Sequence, residues 1–349
     1  MQMRARSFYS TPDILKNASV QWTHHGSSCP PHQNCPYAWV GADESDPPNP
    51  DEPTFPAELY NLDVIAYESV NVGLFSIFRG FGGGGNRITG ELDELHAGYT
   101  RDGFHFFRPL HARGAPLMPY SWPEFTPHRT DVQSIANGML VDDGTITVFA
   151  SARSGLPFSG PKHSPGGNHT VVAARLRRDG FASISNAGQP HGTKPTLEAT
   201  VVTRTVIWEP SLRFLFVNVK VAPGGWCRVG LRKSAPQPNA NGTGAAIIPG
   251  FEPAESTLTD IIKAGGDSSA GGASSSSKAT VCGEAQDAGF DSTKALVRWR
   301  DVPDLRGVAG GSVQLVFELE GASLYSFWVS DSNSTAASRG FLGASGRDL

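Results

Sequence analysis

Beyond about Leu59 the chain reads as short apolar runs separated by turn residues, and most runs keep a period of two, not the 3.6 of a helix. Val70 to Phe78 is predicted to be a strand, with Leu74, Ser76 and Phe78 on one face and Phe75 and Ile77 on the other. Leu95 to Tyr99 is a second, running into Thr100-Arg101-Asp102-Gly103-Phe104-His105-Phe106. An Asp-Gly pair between two strand runs predicts a hairpin, because glycine takes a positive φ without steric cost. The same grammar returns in Met139-Leu140-Val141, Asp142-Asp143-Gly144 and Ile146 to Ala150, so these aspartates, with Asp179 before Gly180, are read as turn residues. The run Gly82 to Gly85 lacks the lysine and opening helix of a phosphate-binding loop and is expected to be a hairpin tip.

After Arg178-Asp179-Gly180-Phe181 the pattern changes. Thr200 to Ile207 is β-branched, and Leu212 to Val221 alternates, with Leu215, Val217, Val219 and Val221 on one face and Asn218 and Lys220 opposite. Val313, Leu315, Phe317 and Leu319 repeat it, with Gln314, Glu318 and Glu320 facing out, and Leu324 to Val329 closes the region. Hairpins recurring every few tens of residues predict propeller blades over residues 57–183, and several alternating strands without helical period predict an antiparallel sandwich over 184–330. A Gly-, Ala- and Ser-rich stretch near 263–280 is expected to be a disordered insert and 331–349 a flexible tail. The fold class is all-β.

Composition narrows the function classes. The chain's 349 residues suit about two domains. Charged residues make up 18% and the net charge is −4, which excludes an electrostatic nucleic-acid binder. No apolar run approaches the ~18 residues of a membrane helix. Of four cysteines, Cys29 and Cys35 enclose a Pro-rich loop and are either a bridge or two unrelated thiols. Neither CxxC nor His/Cys pairs at zinc spacing occur, so no metal and no cofactor is expected. The N-terminus has positive charge but no apolar run behind it, unlike a secretory signal, whereas the triplets at Asn17, Asn168, Asn241 and Asn333 hint at secretion; the compartment stays open.

Several segments carry a family resemblance. Thr100 to Phe106 resembles the Asp-box turn of β-propeller blades, with a looser version at Tyr9 to Asp13 and Trp22 beyond it. Leu59-Tyr60-Asn61-Leu62-Asp63-Val64-Ile65-Ala66-Tyr67-Glu68-Ser69 resembles the blade-opening motif of glycoside hydrolase family 32-like (family 32/43-type) proteins, and Ala97 to His105, Val132-Gln133-Ser134 and Leu176 to Ser183 follow in the same order. Phe214 to Val219 and Leu324 to Trp328 resemble the β-sandwich that follows the propeller in that group. The resemblance covers roughly residues 57–330 and implies a five-bladed propeller with a C-terminal sandwich. At ~40–50 residues per blade, the stretch ahead of the sandwich holds about four. A propeller incomplete at its N-terminus is therefore expected, with residues 1–56 part of a blade plus an insertion.

What the resemblance implies chemically is glycoside hydrolysis, which needs a general acid and a nucleophile or base. Asp63 stands where an innermost strand is expected to begin and matches the Arg-Asp-Pro aspartate that contacts sugar hydroxyls, although Leu62 and Val64 flank it here. Glu68 is either a second carboxylate of the site or a partner for a nearby arginine. Glu124, in Trp122-Pro123-Glu124-Phe125, is an exposed loop acid or, if buried among these aromatics, a general acid with raised pKa. Asp63, Glu68 and Glu124 are thus the catalytic candidates. Tyr60, Asn61, Asp131, Gln133 and Arg153 are the substrate-binding candidates, Asp131 and Gln133 ahead of a strand from Asn137 and Arg153 just past one ending at Ala150. Arg153 clamps a ligand or completes an ion pair. Trp22 and Trp122 stack on a sugar or fill a core. No aspartate in residues 1–56 lies in a Trp-x-Asn-Asp-Pro-Asn nucleophile motif, which weighs against a typical family 32 hydrolase. The expected partner is a carbohydrate, as substrate of a hydrolase or as ligand of a non-catalytic module or a truncated, inactive homologue.

Overall fold

The computed structural model describes residues 4–8, 37–49, 53–54, 56–68, 70–79, 92–108, 116–119, 129–154, 168–186, 199–234, 246–260, 280–281, 289–334 and 341–342. Cys29, Cys35, Trp22, Trp122, Glu124, the glycines 82–85 and the Gly/Ser stretch up to residue 279 lie outside them. The described residues form an all-β protein without α-helices, in three sheets of two, six and nine strands. None of their helices is long and apolar enough to cross a membrane. The chain divides into two compact units, Met1–Leu140 with Thr147–Ala174, and Val141–Ile146 with Arg175–Leu349.

In the first unit β1 (Ala5–Phe8) pairs antiparallel with β2 (Tyr37–Gly41). The six-stranded sheet runs in chain order: β3 (Glu58–Tyr67), β4 (Val70–Arg79), β5 (Leu92–Thr100), β6 (Arg129–Val141), β7 (Thr145–Ser154) and β8 (Asn168–Arg177). Strands β3, β4 and β5 form one antiparallel ladder. Strand β6 joins it through a single parallel pairing, Asp93 with Asp131. On one face of the ladder Ala57, Leu59, Phe75 and Ile77 make a core with Val40, Ala42, Leu62 and Phe106 packed against it. The other face carries Val72, Leu74, Ser76 and Phe78, as the alternation predicts.

In the second unit two long strands dominate, β12 (Phe214–Lys233) and β16 (Ser312–Ser330), paired with each other almost throughout. The separate strands expected at 313–319 and 324–329 are therefore one strand. It bends at Gly321 (φ 58°), opposite a bulge of β12 between Val221 and Trp226 where Gly224 also has positive φ (79°). A Cβ on Gly225 would sit 2.5 Å from the Glu320 carbonyl, so only glycine lets the two strands turn this corner together. Past the bend Cys227, Val229 and Leu231 join Leu215, Val217, Val219 and Val221 in one core with Leu315, Phe317 and Leu324. The remaining strands β9 (Ile184–Ser185), β10 (Ala199–Val202), β11 (Val206–Ile207), β13 (Ser256–Asp260), β14 (Thr280–Val281), β15 (Phe290–Trp299) and β17 (Phe341–Leu342) complete the sheet. Asn218, expected on the outer face, is fully buried and accepts hydrogen bonds from Arg177 Nε (2.9 Å) and Nη2 (2.7 Å).

Candidate functional site

The candidate residues Tyr60, Asn61 and Asp63 owe their placement to one irregularity. In a regular strand Leu59, Asn61 and Asp63 would point the same way. A β-bulge between Leu59 and Asn61 breaks that phase. Leu59 pairs with Ile77 and enters the core, fully buried, whereas Asn61 pairs with Ser76 and Asp63 with Leu74 on the opposite face. Tyr60, at the bulge, is left 39% exposed, with its ring 5.9 Å from Phe78 and 5.6 Å from the Arg4 guanidinium.

Asn61 is held from both sides. Its Oδ1 accepts from Arg6 Nη2 at 3.0 Å, and the same nitrogen donates to the Tyr60 carbonyl. Its Nδ2 points to the Ser134 carbonyl at 3.5 Å, while the Ser134 amide donates to the buried Ser76 hydroxyl at 3.2 Å. These contacts link β1, β3, β4 and β6. Two residues on, Asp63 is half-buried; its Oδ2 is enclosed, and its carboxylate accepts no hydrogen bond among the described residues. A carboxylate lacking donors is destabilising where it is buried, so its accessible side is a position at which an O–H or N–H group from a ligand would be bound favourably.

The other expected residues are placed as follows. Asp63 lies mid-strand and not at a strand start, because β3 already begins at Glu58. Glu68 occupies the β3–β4 turn in left-handed conformation (φ 51°), exposed. Five extended residues separate it from Asp63, roughly 16 Å, against about 5–10 Å for a hydrolase carboxylate pair. Asp131 and Gln133 lie inside β6, and Arg153 inside β7, not outside their strands as expected, since β6 starts at Arg129 and β7 runs to Ser154. Gln133 Nε2 donates to Asp93 Oδ2 at 3.1 Å. The side chains of Asp131 and Arg153, and all of Glu124, lie outside the described residues. Tyr60, Asn61 and Asp63 are therefore brought together, with Gln133 tied to the same sheet through Asp93.

Two groups of functional interest had no signal in the sequence. Arg6 reaches Asn61 from 55 positions away, and only the fold, in which the Leu59 amide donates to the Arg4 carbonyl, reveals it. On the sheet face opposite Asp63, Arg79 and Glu94 form a buried ion pair with His96 Nε2 3.5 Å from Glu94 Oε2, and Arg108 grips Asp46 through both nitrogens at 2.6 and 2.7 Å over the ring of Phe75. These charges neutralise one another, so they read as a sealed polar core. Among the described residues no three His, Cys, Asp or Glu side chains are grouped to hold a metal. Tyr99, near the open end of the same sheet, has its phenol pushed up to about 12 by burial and stays protonated at neutral pH. No family model matches the chain, and no curated protein or solved structure matches it.

Proposed function

We propose that this protein is carbohydrate-active and glycoside hydrolase-like, acting on O-glycosidic bonds of a glycan that it engages through Asp63, on a plan of propeller blades followed by a sandwich. The observation that carries the reading is the half-buried Asp63 carboxylate, which has no donor among the described residues, beside the anchored amide of Asn61. A carboxylate only accepts hydrogen bonds, and a sugar offers adjacent hydroxyl donors on a compact ring. The ladders β3–β4–β5 and β6–β7–β8, each of consecutive strands and meeting at one parallel pairing, support the blade plan, and the one core shared by both ends of β12 and β16 supports the sandwich. In this reading Asp63 holds sugar hydroxyls as positive charge develops at the anomeric carbon; Glu124 protonates the leaving oxygen as its bond to that carbon breaks, and water adds to the carbon and returns a proton to Glu124.

A second reading, a glycan-binding module without hydrolysis, is favoured by the position of Glu68 in a turn, too far along the chain to partner Asp63. The test is sugar release from fructans, arabinans, xylans and aryl glycosides by purified protein, wild type beside Asp63→Ala. Release that disappears with Asp63→Ala is the expected outcome. Glycan retention without release establishes the binding module. A folded protein that neither cleaves nor retains any of them contradicts the carbohydrate reading.

A further inference from the structure

Arg6 is half-buried, and its hydrogen bonds are both with β3: Nη2 donates to the Tyr60 carbonyl and to Asn61 Oδ1. It has no carboxylate partner among the described residues. Asp63, on the same face as Asn61 and about 7 Å along the strand, is a carboxylate without a donor. A cation bonded to Asn61 and an anion two residues along the same face thus stand beside one amide. Resting on the carbohydrate reading, we propose that Arg6 and Asp63 are the donor and acceptor halves of one sugar site bridged by Asn61, and that the site takes a neutral glycan.

The chemistry selects this ligand class. A carboxylate or sulfate group is best held by two parallel N–H bonds from one edge of a guanidinium, and both such edges include Nη2. Arg6 has committed that nitrogen to Tyr60 and Asn61, leaving Nε and Nη1 as single donors toward oxygen lone pairs. An anionic sugar would also face the uncompensated charge of Asp63. A neutral sugar has both functions needed: one hydroxyl donates to Asp63 while a neighbouring oxygen accepts from Arg6. Arg4 differs, since it is already paired with Glu58 at 2.6 Å.

The experiment is calorimetric titration of fructo-, arabino- and xylo-oligosaccharides, with oligogalacturonate as the acidic comparison, into wild type, Asp63→Asn, Arg6→Ala, Arg6→Lys and Arg4→Ala. At least one neutral series is expected to bind and oligogalacturonate to bind more weakly. Asp63→Asn and Arg6→Ala are each expected to lose about 10- to 100-fold in affinity, the range for a hydrogen bond to a charged group. Arg4→Ala is expected to match wild type. The Asp63→Asn/Arg6→Ala double variant should lose less than the product of the two single losses, because both side chains hold the same sugar. If Arg6→Ala lowers the melting midpoint, Arg6→Lys decides: it keeps the charge but not the shared geometry, and full wild-type affinity in it overturns the inference. Loss in Asp63→Asn with none in Arg6→Ala, or tighter binding of oligogalacturonate, overturns the Arg6 inference and leaves the carbohydrate reading standing. A wild type that binds none of the series contradicts both.

Discussion

Asp102 shows how much a single side chain decides. Its Oδ1 accepts from the Thr100 hydroxyl and the amides of Phe104 and His105, each at 2.8 Å, and its Oδ2 meets His105 Nδ1 at 2.6 Å. Gly103 takes the positive φ (74°) that closes the turn, and Phe107 then returns to pair with Tyr99. All of these partners lie within a few residues, which is why the turn was legible from Asp-Gly alone. His105 above all, then the two amides, hold the Asp102 carboxyl far below the usual range. A depressed folded-state pKa stabilises above the unfolded value of about 3.9, and that stabilisation fades as pH falls through the folded value. Asp102→Asn is therefore expected to melt below wild type at pH 7, with the gap unchanged down to about pH 4 and shrinking in stronger acid. A melting series against pH checks it, and a gap that widens in acid contradicts it. Arg6 and Arg177 were illegible for the complementary reason: their acceptors lie 55 and 41 positions away, and no local pattern announces them.

At the level of elements, alternation revealed where strands run and which face each residue takes, but not where a strand changes phase. Strand β4 carries its faces as expected. In β3 the sequence places apolar Leu59 in phase with polar Asn61 and Asp63, and that mismatch is the trace of the bulge that puts the site on one face and the core on the other. The same limit split β16 in two, because Gly321 looks like a terminator when it is a bend. Glycines also mark close packing. Gly73 and Gly98 are direct cross-strand partners, and a Cβ on either would lie 2.7 Å from Phe75 Cε2. Phe106 crowds the first and the Arg108 stem the second. Gly73→Ala is expected to cost about 1–3 kcal/mol through overpacking, read as a lower denaturant midpoint at unchanged slope. A neutral or stabilising effect would mean that Phe75 and Phe106 repack freely.

For the whole molecule, an all-β fold was legible because it follows from a period of two and frequent turn residues, which are properties of every segment at once. The number of strands per sheet was not, since pairing joins segments far apart, as when Ala199–Val202 of β10 pairs with residues 316–319 of β16. The chemistry behaved likewise. The residue types of the motif pointed to Tyr60, Asn61 and Asp63, and the fold gathered those three while sending Glu68 to a turn. What makes Asp63 the centre of the account is a property only the folded chain has, an acceptor enclosed without a donor. The most direct measurement is a crystal structure of the protein soaked with the neutral oligosaccharide that the titrations identify. A sugar hydroxyl is expected about 2.7 Å from the Asp63 carboxylate, with Arg6 donating to a neighbouring oxygen of the same ring. A sugar bound elsewhere, with no hydroxyl on the Asp63 carboxylate, would contradict this reading.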